Sequence, residues 1–349
     1  MHRYVWPVVA ALALAAASPA SATFPGENGA LVFSGVDAAS RTVQIYRIAP
    51  GGGAPTQLTA PSGAVWNECP SWSAEGRLIY FDSLDRAAGT PAHIYRMTAT
   101  GGSRTLVDSP NAPSHTCPTV NRRGTRIAAI EVGADGTARI VRMNADGSGR
   151  QIVAGAAANQ GDFAPQFAPT GSRILFNRVT FNANSIGRSD LLIVNRAGKA
   201  KNITRKSSDQ YFSPSWSPHG SRILAVRGAA QDEIVRMSPG GSNVRLLVKV
   251  PGATLSSPTF SPDGSKIAYT QCVGDCGDPF EPGTGSIWVM NADGSNLTQI
   301  LAGTTTAGVQ PAGFLDWGVA ARSVRTPRGH TRMSRKRVSV SSRRVPRHP

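Results

Sequence analysis

Ser257-Pro258-Thr259-Phe260-Ser261-Pro262-Asp263-Gly264-Ser265-Lys266-Ile267-Ala268-Tyr269, with Ile287-Trp288-Val289-Met290-Asn291-Ala292-Asp293-Gly294 behind it, is the cleanest copy of a unit that recurs along the chain. A proline opens a short apolar strand from Pro258 to Ser261. Pro262-Asp263-Gly264 turns it back, because Asp tolerates the turn and Gly takes a positive φ without steric cost. A second strand runs from Lys266 to Thr270. After a variable loop come a β-rich third strand at 287–290, a tight turn at 291–294 and a fourth strand around 297–301. The unit reads as a four-stranded antiparallel meander.

The turn glycine recurs as Gly29, Gly76, Gly124, Gly171, Gly220 and Gly264, in steps of 44 to 49 residues. A period this regular marks radial or stacked repeats, and four short strands per period point to propeller blades. An apolar anchor stands four residues before five of these glycines, as Trp72, Val120, Phe167, Trp216 and Phe260, with Pro70, Pro118, Pro165, Pro214 and Pro258 two residues ahead of it. Third strands number six, one more than these first strands, because Gly29 to Phe33 already reads as a second strand. Phe314-Leu315-Asp316-Trp317-Gly318 supplies the missing first strand, with Trp317 in the place of Trp216. The expected fold is all-β: a six-bladed β-propeller closed by one C-terminal plus three N-terminal strands, which leaves no open sheet edge at the join.

Flanking segments read differently. Met1 to Ala22 has a basic start, an apolar run of about ten residues and small residues Ala20 and Ala22, the pattern of a signal peptide cut before Thr23. A bilayer span needs roughly 20 apolar residues, and no later segment approaches that. Residues 319–349 hold ten basic side chains (Arg322, Arg325, Arg328, Arg332, Arg335, Lys336, Arg337, Arg343, Arg344 and Arg347) and no acid, so most of the net charge of +16 belongs to them. Interleaved with Ser, Pro and Gly, they cannot bury enough surface to order, and a disordered basic tail is expected. The organisation read from sequence is leader 1–22, propeller 23–318 and tail 319–349. Export sets the location as secreted or cell envelope, periplasmic or wall-associated. The excess of Arg over Lys, with abundant Ala and Gly, suits a GC-rich bacterial genome.

Ser217-Pro218-His219-Gly220 and Ser261-Pro262-Asp263-Gly264, with Asn-Ala-Asp-Gly turns after an Ile-Trp-x-Met strand, resemble the WD-repeat-like propeller units of the TolB family. The resemblance covers roughly Pro25 to Gly318 and is to the propeller part only, without the α/β domain that precedes the propeller in TolB itself. It implies the fold more firmly than the function. The expected function is a non-catalytic, monomeric scaffold that binds a protein or an envelope polymer. The alternative is a propeller hydrolase or lyase acting through Glu68, His115 and Asp162.

Strand alternation puts the uniform turns on one face and the variable loops on the other, with insertions at 83–91, 177–188 and 271–285. Binding residues concentrate on such loops. At the loop-face mouth of the channel the candidates are Asn67, Glu68, His115, Asp162 and Tyr211; the competing reading is that they solvate a water-filled channel. In an exported chain the four cysteines read as disulfides. Cys272 and Cys276 would stiffen a loop, and Cys69 and Cys117, at one repeat position in neighbouring blades, would bridge them. Paired Cys-x-x-Cys knuckles are missing, so no metal is expected from the spacing, and Asp275, Asp278 and Glu281 form no recognisable calcium loop. Arg47, Arg96, Arg142 and Arg236 share one third-strand position and read as interblade packing rather than an anion site. No nucleophile elbow or His-Glu-x-x-His is present, and no cofactor is implied. The tail's expected partner is an anionic envelope polymer or lipid head group, not nucleic acid.

Overall fold

Twenty-four strands and no helix form among the described residues of a computed structural model, which are 24–37, 39–60, 62–182, 185–274, 284–303 and 309–321. Blade one takes β1 (Asn28–Asp37), β2 (Thr42–Ile48) and β3 (Thr56–Gln57). Blade two is β4 (Val65–Trp72), β5 (Leu78–Asp85), β6 (His93–Thr98) and β7 (Thr105–Leu106). Blade three is β8 (Ser114–Val120), β9 (Arg126–Val132), β10 (Ala138–Asn144) and β11 (Gln151–Ala154). Blade four is β12 (Gln160–Phe167), β13 (Ile174–Asn182), β14 (Ser185–Val194) and β15 (Ala200–Asn202). Blade five is β16 (Tyr211–Trp216), β17 (Ile223–Arg227), β18 (Glu233–Met237) and β19 (Arg245–Lys249). Blade six is β20 (Ala253–Phe260), β21 (Lys266–Val273), β22 (Thr284–Asn291) and β23 (Thr298–Ala302). The last strand, β24 (Val309–Val319), joins blade one beside β1, giving the order β24-β1-β2-β3.

The six first strands touch in sequence around the axis: β24 beside β4, β4 beside β8, and so on through β12, β16 and β20 back to β24. The closing pair sets Leu31 opposite Trp317 and Phe33 opposite Leu315, and the Trp317 indole donates to the Gly29 carbonyl at 3.0 Å. The closing strand is longer than the 314–318 read from sequence. It starts at Val309 and ends one residue beyond the expected propeller boundary, and the Ala320 amide then bonds Glu27.

Seven apolar clusters hold the ring among the described residues: six each bridge two neighbouring blades, and one draws on five blades. Leu31, Phe33 and Trp317 meet Ala268, Ile287 and Val289 across the seam that joins the two ends of the chain. Val32 and Ile45 meet Trp72, Ile79 and Phe81 across the next. The third-to-fourth-strand turns seal these seams. A Cβ on Gly101 would lie 2.6 Å from the Leu58 carbonyl oxygen of the preceding blade, and one on Gly294 2.7 Å from that of Leu247. These glycines are therefore required both for a left-handed turn and for a close approach.

Two local readings differ from the structure. Residues 177–188 are an extended hairpin rather than a loop insertion, with Asn177 opposite Leu191 and Asn182 opposite Ser185, since Val179 and Phe181 continue the alternation that the asparagines obscure. The prolines do not open the first strands. Pro258 sits inside β20, at a bulge where Ser257 takes φ 50°. Cys69, Cys117, Ala164, Ser213 and Phe314 repeat that left-handed conformation at the same place in the other five first strands. A first strand pairs on one side only, so a proline there forfeits no ladder bond, and a bulge is where strands accept it.

Candidate functional site

The six left-handed residues stand at one level of the six first strands. Cys69 and Cys117 are disulfide-bonded between blades two and three with their Cα atoms 4.7 Å apart. Phe314 from blade one, Phe163 from blade four and Phe212 from blade five lie in one apolar cluster with the two cysteines. All six ring residues are at most 7% exposed. The axis is thus filled at this level rather than being a water channel.

The five residues expected at the channel mouth lie on the loop-face side of this ring. Asn67, His115, Asp162 and Tyr211 hold equivalent positions on four adjacent first strands, at most 2% exposed. Each has a hydrogen-bond partner on another strand or connection, although Asn67 Oδ1 is buried without one. Asn67 donates to Gln44 Oε1 of blade one at 2.9 Å. His115 sets one ring nitrogen 2.8 Å from Asp108 on the connection out of blade two and the other 3.2 Å from Glu131. Asp162 accepts two bonds from the Arg178 guanidinium at 2.6 and 2.8 Å. The Tyr211 hydroxyl meets that of Ser207 at 3.2 Å. None of the five hydrogen-bonds another among the described residues.

Glu68, one position on, is half-buried and stands opposite Asp82 across the β4–β5 pair. Burial pushes the Glu68 carboxyl well up, against the pull of Arg86. Burial and the Glu68 charge push Asp82 up too, although its Oδ1 accepts the Cys117 amide at 2.7 Å. Glu131 is the opposite case: burial would raise it, but Arg150 and His115 outweigh burial and hold it below the usual carboxylate range. Burial raises Asp162 despite its Arg178 partner.

The remaining candidates are structural or lie outside the described residues. Arg47 donates to the Ala99 carbonyl and Arg236 to that of Ala292, each in the next blade, while Arg142 reaches Gln151. Cys272 is disulfide-bonded. Cys276, Asp275, Asp278, Glu281, the leader through Ala22 and the basic residues from Arg322 to Arg347 lie outside the described residues. Two surface hollows lie beside blade five, where Arg227 and Lys249 already pair with Glu233 at 2.6 and 2.9 Å.

No family model matches the chain. The Tol-Pal system protein TolB of Gluconobacter oxydans is 33% identical over 188 residues, 40% of this chain and 40% of that protein. A TolB homolog of Chlorobium luteolum is 30% identical over 105 residues, 30% of this chain and 22% of that one. The crystal structure of TolB from Acinetobacter baumannii superposes with a TM-score of 0.64 at 17% identity, covering 85% of this chain and 68% of that one. The chain carries a TolB-like six-bladed propeller. It spans less than half the length of either of these curated relatives.

Sequence reading missed the partners that fix this TolB-like propeller's inner residues: Asp82, Asp108, Glu131 and Arg178. Each sits at a second-strand or connection position that the blades do not share as a pattern, Arg178 recurring only as Arg227 of blade five, so the repeat itself carries little signal for it. Phe314 was legible as part of the closing strand but not as part of the axial plug, since nothing in one strand tells which of its residues reach the axis.

Proposed function

We propose that this chain is an exported, envelope-associated propeller that binds a protein or an envelope polymer through its variable-loop face without catalysing a reaction. The observation that carries the reading is the engagement of the inner polar residues: Asn67, His115, Asp162 and Tyr211 are buried, and each is hydrogen-bonded to a residue of another strand or connection. A general acid or base must reach its substrate, and these do not. The loops, carried on a rigid ring, remain as the recognition surface. The likeness to a Tol-Pal system protein supports a secreted or cell-envelope location. The basic residues from Arg322 onward tether the chain to anionic polymer or lipid head groups, each contributing about 1 kcal/mol near such a surface.

The test is capture from envelope extracts by the full chain and by a chain ending at Ala321, across a salt series. Salt screens the tail's attraction, so the full chain should lose envelope association as salt rises, and both chains should keep a common partner bound by the loop face. Equal retention of both at every salt concentration removes the tail from the reading. Failure of both to capture anything removes the loop face. A hydrolase or lyase reading draws on Glu68 and Asp82, whose carboxyls burial pushes up, the direction a general acid needs. It requires polymer cleavage that Glu68→Gln abolishes.

A further inference from the structure

Beside the axial plug, one carboxylate oxygen of Asp82 and the sulfur atoms of Cys69 and Cys117 all lie within 4.8 Å of one another, and all three residues are buried. They arrive from three strands, β4, β5 and β8, in two blades. Left-handed backbone at both cysteines turns the two inner strands toward each other at this level. Asp82 is oriented by accepting the Cys117 amide at 2.7 Å. Glu68 faces Asp82 across the strand pair and is half-buried, on the loop-face side.

We propose that Cys69, Cys117 and Asp82, with Glu68 completing the set, bind a zinc-class divalent cation when the disulfide is reduced. The reductant is a dithiol. Two electrons pass from its sulfurs into the Cys69–Cys117 bond, which breaks, and its two thiol protons end on the two cysteine sulfurs while the dithiol closes to its own disulfide. The cation then displaces those two protons, with any proton held on the two carboxyls, to solvent and binds two thiolates and two carboxylates. Two sulfurs and two oxygens make a four-coordinate tetrahedral set that zinc accepts, and thiolates select it over calcium or magnesium. A disulfide oxidant takes the two electrons back, its own S–S bond opening to two thiols with two protons from solvent, so that the cation is released and the Cys69–Cys117 link between blades two and three re-forms. The chain would thus exchange a covalent clamp for a metal clamp at one place in the ring. Sequence spacing hides the site, because its ligands come from separate repeats and no two form a knuckle.

The experiment uses the full chain with Cys272→Ser and Cys276→Ser, so that only one cysteine pair remains. Reduced with dithiothreitol and desalted without oxygen, it is titrated with Co2+. The expected result is one Co2+ per chain with thiolate-to-cobalt charge-transfer absorption, displaced by Zn2+ and absent from the unreduced protein. Asp82→Asn should weaken Co2+ binding at least tenfold, yet re-form the Cys69–Cys117 disulfide on oxidation, which reports an intact ring. A reduced chain without that absorption overturns the proposal, as does equal affinity in Asp82→Asn. Should Asp82→Asn not fold, thiol alkylation of the reduced chain decides: Zn2+ must slow it at least tenfold, and equal rates with and without Zn2+ overturn the site.

Discussion

His115 shows what a single polar residue does in this ring. Its two nitrogens face Asp108 and Glu131, both buried, and Glu131 is in turn held by Arg150, so one imidazole ties a connection of blade two to the second strand of blade three. Because Glu131 is held below its ordinary range, the stability it contributes is present above the unfolded carboxylate value and is lost as pH falls through the lower folded value. Glu131→Gln should therefore cost about 1–3 kcal/mol at pH 7 and little in strong acid, where both proteins have lost the pairing. Urea unfolding at the two extremes checks this; a cost independent of pH would contradict it. A steric case stands at Gly318, where an added Cβ would meet the Trp72 indole at 2.6 Å. Gly318→Ala should destabilise by about 1–3 kcal/mol through overpacking, read as a lowered urea midpoint with an unchanged slope.

Among the elements, β24 matters most because it is the strand that a linear chain cannot supply to its own first blade. It packs Leu315 and Trp317 against Leu31 and Phe33, and without it β1 would present an unpaired edge on the inside of the ring. A chain ending at 308 should open blade one, expose that edge and self-associate. Size-exclusion chromatography and tryptophan fluorescence would show aggregation and loss of the native spectrum. A monomeric, native-like product would mean that closure contributes little. The bulges are the second lesson at this scale. The prolines that mark the repeat in sequence mark, in space, the point where each first strand turns left-handed, so one local signal both counts the blades and shapes the axis.

Considered as a whole molecule, the ring is joined twice, by strand pairing between its ends and by the disulfide between blades two and three. The disulfide closes a loop with a sequence separation of 48 residues, for which chain entropy predicts a stabilisation of about 4 kcal/mol. Cys69→Ala with Cys117→Ala should lower stability by up to that amount while leaving the six-bladed ring intact, since strand closure does not depend on the sulfurs. Urea unfolding and circular dichroism would check both halves; loss of native strand content would show that the clamp is needed for closure itself.

Blade number, strand order, the closing role of Trp317 and the pairing of Cys69 with Cys117 were all legible in the chain. Each follows from a local pattern repeated at a fixed period, and local turn chemistry and alternation act the same way in every copy. What the inner residues do was decided only by tertiary structure. Asn67, His115, Asp162 and Tyr211 hold one repeat position, yet each bonds a different partner from another strand or connection, and Phe314, Phe163 and Phe212 share one cluster only because the ring closes. A repeat specifies what its copies share, whereas a seam or an axis is built from residues in which neighbouring copies differ.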